Sequence, residues 1–176
     1  MGESPAEVRA RAQRTFAEHL DSSGIVCFAS DPRSVLMWSH YGDHHTGICL
    51  QLENARDPGT LCQAVPVQYV KDYPVVNWAD DLAKQMNKPL LHKFEKWEYD
   101  GEWRLIWPYG ARTYLPFKPS ALVGLIFGCR TSDKAIQIVR AMLDERAARG
   151  HPPVKIYRAQ PHERRYELVL RRMAPI

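Results

Sequence analysis

The sequence predicts an α+β fold, a largely antiparallel mixed sheet with three to four helices, and three observations predict it. Apolar residues recur at helical spacing in two long segments. Several apolar runs, such as Leu122 to Phe127, have the length of strands. Helices and strands alternate without a βαβ rhythm, which favours antiparallel pairing. At 176 residues, with no internal repeat or low-complexity linker, the chain reads as one domain over 1–176.

The elements follow in order. Ser4-Pro5-Ala6-Glu7 is a capping box with proline at the first helical position. It opens a helix to about Leu20, with Val8, Ala12, Phe16 and Leu20 as its apolar stripe. Ile25 to Ser30 reads as a strand. Ser30-Asp31-Pro32 starts a short helix over Val35 to Tyr41, closed by Gly42. Thr46 to Leu52 and Leu61 to Val70 are strands, the second weakened by Pro66 into an edge or bulge. Asp80 to Phe94 is helical in composition, with Pro89 expected to kink or divide it. Glu102 to Trp107 and Leu122 to Phe127 are strands. Ser132-Asp133 caps a helix carrying Ile136, Val139, Leu143 and Ala147, stopped by Gly150 and Pro152-Pro153. Val154 to Tyr157 and Tyr166 to Leu170 finish the chain as strands.

Composition narrows the function classes. Hydrophobic content of 45% and charged content of 25% match a globular protein, and no apolar run reaches the length of a membrane span. The polar N-terminus lacks the pattern of a secretory signal, so a cytoplasmic location is the expectation. Four separated cysteines, Cys27, Cys49, Cys62 and Cys129, sit in apolar contexts and read as reduced, mostly buried thiols. Net charge is +4, unevenly spread. Residues 129–176 hold 11 Lys/Arg against 5 Asp/Glu, a basic third that invites weak, salt-sensitive nucleic-acid binding.

Two segments concentrate groups able to do chemistry. In Leu36-Met37-Trp38-Ser39-His40-Tyr41-Gly42-Asp43-His44-His45, three histidines and two aromatic residues straddle a helix end and a strand start. Trp38 and Tyr41 share a helix face. Gly42 separates His40 from His44, and there is no H-E-x-x-H, so no metal is expected. The second segment runs from Lys96 to Trp107. Strand alternation puts Asp100, Glu102 and Arg104 on one face and sends Trp103, Leu105 and Trp107 toward the core. A carboxylate beside a guanidinium is either an inert ion pair or a Glu held ionised for use.

These same residues carry a resemblance. Cys27-Phe28-Ala29-Ser30, the run from Leu36 to Asp43, Gly47-Ile48-Cys49-Leu50, Val67-Gln68-Tyr69, Trp97, Glu102-Trp103-Arg104 and Ile126-Phe127-Gly128 together resemble a bacterial family, domain of unknown function 2971. The likeness spans about residues 25–130, leaving 131–176 as a basic C-terminal helix and strands. Members of that family usually have glutamate where this chain has Asp100, and their early Asn-Asp turn is not found before residue 25. A looser likeness is to the ADP-ribosyltransferase fold, in which a His or Arg, an aromatic residue and a late strand glutamate grip NAD. That resemblance implies Glu102 and His40 as catalytic residues and Tyr41, Trp38, Arg104 and Ser39 as substrate-binding residues. NAD would be the substrate, the tyrosine stacking on nicotinamide and the glutamate steadying an oxocarbenium-like ribose.

Three classes of function are therefore carried forward. One is an NAD-using transferase or NAD-cleaving toxin or defence protein, which requires His40, Tyr41 and Glu102 in one concave pocket. Another is a nucleic-acid-binding module, which requires Arg158, Arg164, Arg165, Arg171 and Arg172 on one face. The last is an interaction domain without catalysis.

Overall fold

The computed structural model describes residues 4–77 and 80–174, and it is α+β with mixed and antiparallel sheets. Its chain forms two compact units, each drawn from two stretches of sequence: Met1–Ser30 with Gln63–Pro116, and Asp31–Cys62 with Phe117–Ile176. No helix among the described residues is long and apolar enough to cross a membrane.

The first unit holds helix α1 (Pro5–Ser22), strands β1 (Gly24–Ala29), β3 (Val65–Pro66) and β4 (Gln68–Val70), helix α4 (Leu82–Leu91), and strands β5 (His92–Phe94) and β6 (Glu102–Trp107). The expected capping box forms, Ser4 accepting from the Glu7 amide while Glu7 accepts from the Ser4 amide at 2.7 Å. β6 is the centre of an antiparallel sheet ordered β1-β6-β3, and β4 pairs with β5 in parallel. The expected strand from Leu61 to Val70 is instead two short strands in different sheets. The ladder to β6 continues past Pro66, the Val67 amide donating to the Glu102 carbonyl at 2.9 Å, so the Pro66 nitrogen faces away from β6 and its missing amide lies on the outer edge of β3. Pro89 sits inside α4, which ends two residues later at Leu91, where the chain becomes β5.

The second unit holds α2 (Val35–Tyr41), β2 (Ile48–Leu52), α3 (Pro58–Leu61), β7 (Leu122–Phe127), α5 (Asp133–Ala148), β8 (Lys155–Pro161) and β9 (Leu168–Arg172). Its sheet is ordered β2-β7-β8-β9. Contrary to the expected absence of a βαβ rhythm, β7, α5 and β8 form one such unit, with β7 and β8 parallel. The sequence signal was there: Leu125, Ile126 and Phe127 form a continuous apolar run, and all three are buried. Alternation sends Leu125, Phe127 and Ile156 to one face, where Ile136 and Val139 of α5 cover them. Ile126, Ala159 and Leu168 go to the other face, where Trp38 of α2 packs.

The cysteines depart from expectation. All four are free, but Cys27 and Cys62 are exposed while Cys49 and Cys129 are half-buried. Cys27 shares its face of β1 with Ile25 and Ala29, but its thiol lies against Glu102 and Arg104 of β6, and Cys62 follows a helix of one turn, so neither apolar neighbourhood in sequence becomes an apolar neighbourhood in space.

The core assignment around Trp38 has a direct check. Trp38→Ala should lower stability by about 3–5 kcal/mol, the usual cost of deleting a buried tryptophan. Chemical denaturation of the variant would show a loss under 1 kcal/mol if the ring were a surface group.

Candidate functional site

The predicted site residues form two groups, one in each unit. His40, Tyr41, Ser39 and Trp38 belong to the second unit, Glu102 and Arg104 to the first.

In the second unit, Ser34 caps α2 by accepting from the Met37 amide, and Trp38 fixes the helix to the core. Trp38 is only 4% exposed, and its indole Nε1 donates to the Pro32 carbonyl at 2.8 Å. It is therefore core, a correction to its expected place against substrate: a ring this large excludes water best where the sheet already supplies Ile126 and Leu168. His40 and Tyr41 follow it on the solvent side, both exposed, their rings 6.3 Å apart and edge-on.

Directly after them the backbone does something that few sequences tolerate. Asp43, His44 and His45 have φ of 48°, 51° and 69°, three successive non-glycine residues in the left-handed region. Aspartate and histidine enter that region more readily than most residues, yet each such residue costs on the order of 1–3 kcal/mol. The surroundings hold them there. The Gly42 and His45 amides both donate to the Trp38 carbonyl, at 3.1 and 3.2 Å. Thr46 closes on Asp43 through its amide at 3.0 Å and through its hydroxyl, which lies 2.7 Å from both the carbonyl and the carboxylate oxygen and donates its one proton to either. The turn's ladder thus uses the amides of Gly42, His45, Thr46 and Gly47, and those of Asp43 and His44 lie outside it.

The loop after β7 braces the turn. The Arg130 amide donates to the His45 carbonyl, and the Gly128 amide and the Thr131 hydroxyl both donate to the Gly47 carbonyl, all at 3.0 Å. A Cβ on Gly128 would stand 2.1 Å from the His45 oxygen, so only glycine lets the two backbones approach this closely.

Ser39 is turned inward. Its hydroxyl lies 2.9 Å from His45 Nε2 and 3.0 Å from the Val35 carbonyl. A hydroxyl has one proton, and both bonds are made if Ser39 donates to Val35 while Nε2–H donates to Ser39. This leaves His45 Nδ1 as a buried, bare acceptor. Burial first, then the nearby charges of Arg130 and His44, hold the imidazole below the ordinary histidine range. Ser39 serves as a strut between helix and turn.

The first unit carries a different arrangement. On β6, Glu102 and Arg104 share a face as expected, and Cys27 stands opposite Arg104 on β1. That face is buried at Glu102, which is 6% exposed, while Trp103 on the other face is 43% exposed. The expected direction of burial is reversed for this pair, because the charged face is covered and satisfied. Arg104 Nε donates to Glu102 Oε1 at 2.7 Å, Nη2 to Oε2 at 3.3 Å, and Nη1 to the Leu90 carbonyl near the end of α4. Lys93 Nζ donates to Glu102 Oε2 at 2.9 Å and to buried Asp100, with the Trp97 ring 5.0 Å from the ammonium. The Glu102 amide donates to the Tyr69 hydroxyl at 2.9 Å.

Burial alone would raise the Glu102 carboxyl. Hydrogen bonds from Arg104, Cys27 and Lys93, with the guanidinium charge, instead hold it at about 2. The Cys27 thiol is pushed up to about 11, first by burial and then by Glu102, so it is no nucleophile at neutral pH. Two carboxylates and two cations make the cluster neutral. A glutamate whose oxygens already accept from two cations has little charge to lend a reaction, and this geometry favours the ion-pair reading of Glu102.

Lys93 escaped sequence reasoning, and Tyr69, though part of the Val67-Gln68-Tyr69 run, was given no role there. Cys27 was legible as a same-face neighbour only once the β1–β6 register was known. The five C-terminal arginines do not share a face. Arg158 and Arg171 are cross-strand partners on the α5 side, Arg172 opposes Tyr157 on the other, and Arg164 and Arg165 lie in the connection. A groove of about 480 Å³ is lined by Pro32, Arg33, Arg165 and Glu167 with the start of β9, and none of His40, Tyr41, Glu102 and Arg104 lines it. Among the described residues no group of three His, Cys, Asp or Glu could hold a metal ion. Comparison of the chain with protein-family models, curated proteins and solved structures finds no match.

Two outcomes follow. Gly128→Ala should destabilise the protein by about 2–3 kcal/mol, since the added carbon meets backbone. Gly124→Ala, whose Cβ meets the Gln51 side chain, most closely at its movable amide end, and no backbone, should cost less in the same urea titrations.

Glu102→Gln should cost about 3 kcal/mol at pH 7 by leaving buried cations uncompensated. The acid profile is also fixed in sign. A carboxyl at about 2 when folded and 4.5 in its ordinary state stabilises fully above 4.5, and that contribution fades as pH falls toward 2. The variant's profile should be shallower in that window, keeping only the part due to other carboxyls held low, such as Glu7 and Asp81. His45, held low when folded, adds a separate loss as pH falls through the ordinary histidine range of 6.5.

Proposed function

We propose that the protein binds a nucleotide of the NAD type at the end of α2 and the left-handed turn that follows it. The observation that carries this reading is the turn itself. Strain at Asp43, His44 and His45 is sustained by Trp38, Gly128 and Arg130, and backbone strain of this kind concentrates at ligand sites. Tyr41, 61% exposed beside His40, offers a ring for stacking on a nicotinamide or adenine base. The amides of Asp43 and His44, outside the turn's ladder, with the exposed Arg130, suit a phosphate.

The resemblance to the ADP-ribosyltransferase fold extends the reading to NAD as a substrate for transfer or cleavage, in a toxin or defence setting. In that reading His40 meets substrate and Tyr41 stacks on it. Glu102, whose oxygens already accept from Arg104 and Lys93, is left out of this reading. Nucleic-acid binding has weaker support. Its arginines divide between two sheet faces, and Arg158 and Arg165 are engaged by Thr131 and Glu167.

A thermal-shift series with NAD, ADP-ribose, ADP and nicotinamide tests this directly, because a ligand that binds only the native state raises Tm. NAD and ADP-ribose should raise Tm, and Tyr41→Ala, at an exposed position, should keep its own Tm while losing most of that shift. No response to any of the four at millimolar concentration, or an undiminished response in Tyr41→Ala, refutes the assignment.

A further inference from the structure

The sheet of the second unit has two edges, and they are finished differently. At β9 the Leu168 amide donates to the Arg33 carbonyl at 2.9 Å, and the strand ends in Arg171 and Arg172. A covered start and charged side chains are the usual protections of an edge. β2 has neither. Its residues, Ile48-Cys49-Leu50-Gln51-Leu52, include no charge and no proline, and no described strand lies on its outer side.

The hydrogen-bond parity of β2 is fixed by its two ends. The Gly128 amide donates to the Gly47 carbonyl, and beyond the irregularity at Gln51 and Leu52 the Glu53 amide donates to the Ala121 carbonyl. In an antiparallel ladder, alternate residues bond inward, so Ile48, Leu50 and Leu52 turn their N–H and C=O groups outward. The side chains of these three share one face, and those of Ile48 and Leu50 are 43% and 47% exposed.

We propose that β2 is a self-association surface, on which a second copy of this chain adds its own β2 antiparallel, the two-fold axis passing through Leu50. The occupant follows from self-complementarity. An antiparallel pairing about a two-fold uses one strand twice, so the outward groups of Leu50 meet those of its counterpart. Ile48 stands opposite Leu52 and Leu50 opposite Leu50, an aliphatic ladder on each side of the axis. Within Ile48–Leu52 the register brings no charges together, and Glu53, the first charged residue beyond the strand, opposes Gly47. An acidic or basic peptide would find no complementary charge on this strand. This surface does not depend on the nucleotide reading.

Sedimentation equilibrium over a wide concentration range reads the proposal. The wild-type weight-average mass should climb from 20.3 kDa toward twice that value. Leu50→Lys, which sets two lysines face to face, should stay monomeric with an unchanged far-UV spectrum. Mixing it with Leu50→Glu should restore association. If the lysine variant loses its fold, Leu50→Thr replaces it and should weaken association at least tenfold. A wild-type protein that remains monomeric at millimolar concentration overturns the proposal. So does a folded position-50 variant that associates as strongly as wild type, or a charge-paired mixture that stays monomeric.

Discussion

The second unit depends on one close approach, that of the Gly128 backbone to the carbonyl of His45. Because no side chain intervenes, the loop after β7 can bond to the left-handed turn and hold it against Trp38. The turn in turn fixes where α2 ends, which way His40 and Tyr41 are presented, and where β2 begins. Three residues with positive φ would relax if the brace were loosened, since each costs energy that only surrounding contacts repay. A rigid turn can present two rings and two backbone amides at a fixed spacing, and a flexible loop cannot.

The first unit is organised on the opposite principle. Around Glu102 nothing in the cluster depends on strain, and the charges nearly satisfy one another: Arg104 and Lys93 on the carboxylate, Asp100 on the lysine, the Leu90 carbonyl on the guanidinium. Such a neutral, hydrogen-bonded set can be buried where an isolated charge could not. It joins α4, β5, the helical turn from Glu95 to Asp100 and β6 through side chains. In this position a carboxylate gives the unit its register; it is poorly suited to moving protons.

Much of the fold was legible in the sequence. The capping box at Ser4, the α2 boundaries at Val35 and Tyr41, the edge strand at Pro66 and the Ser132 cap of α5 all rest on local chemistry, and all appear. What failed depended on partners distant in the chain. Trp103 and Glu102 exchange their expected environments because Lys93, Tyr69 and Leu90 cover one face of β6, and none of these can be anticipated from strand alternation. The parallel β7–β8 pair was missed because a single βαβ crossover is hard to see among antiparallel strands. At the candidate site, the cluster of histidines pointed to the segment in which the strained turn lies. The left-handed backbone did not show, because Asp-His-His carries none of the glycine or asparagine signals by which such turns are usually read.

The central claim is that the braced turn after α2 is a binding platform. Titrating NAD into ¹⁵N-labelled protein and following the amide resonances tests it at single residues. The account predicts shifts concentrated at Tyr41, Asp43, His44 and Arg130, saturating with NAD. An unperturbed spectrum at saturating NAD, or shifts confined to residues away from the turn, would contradict it.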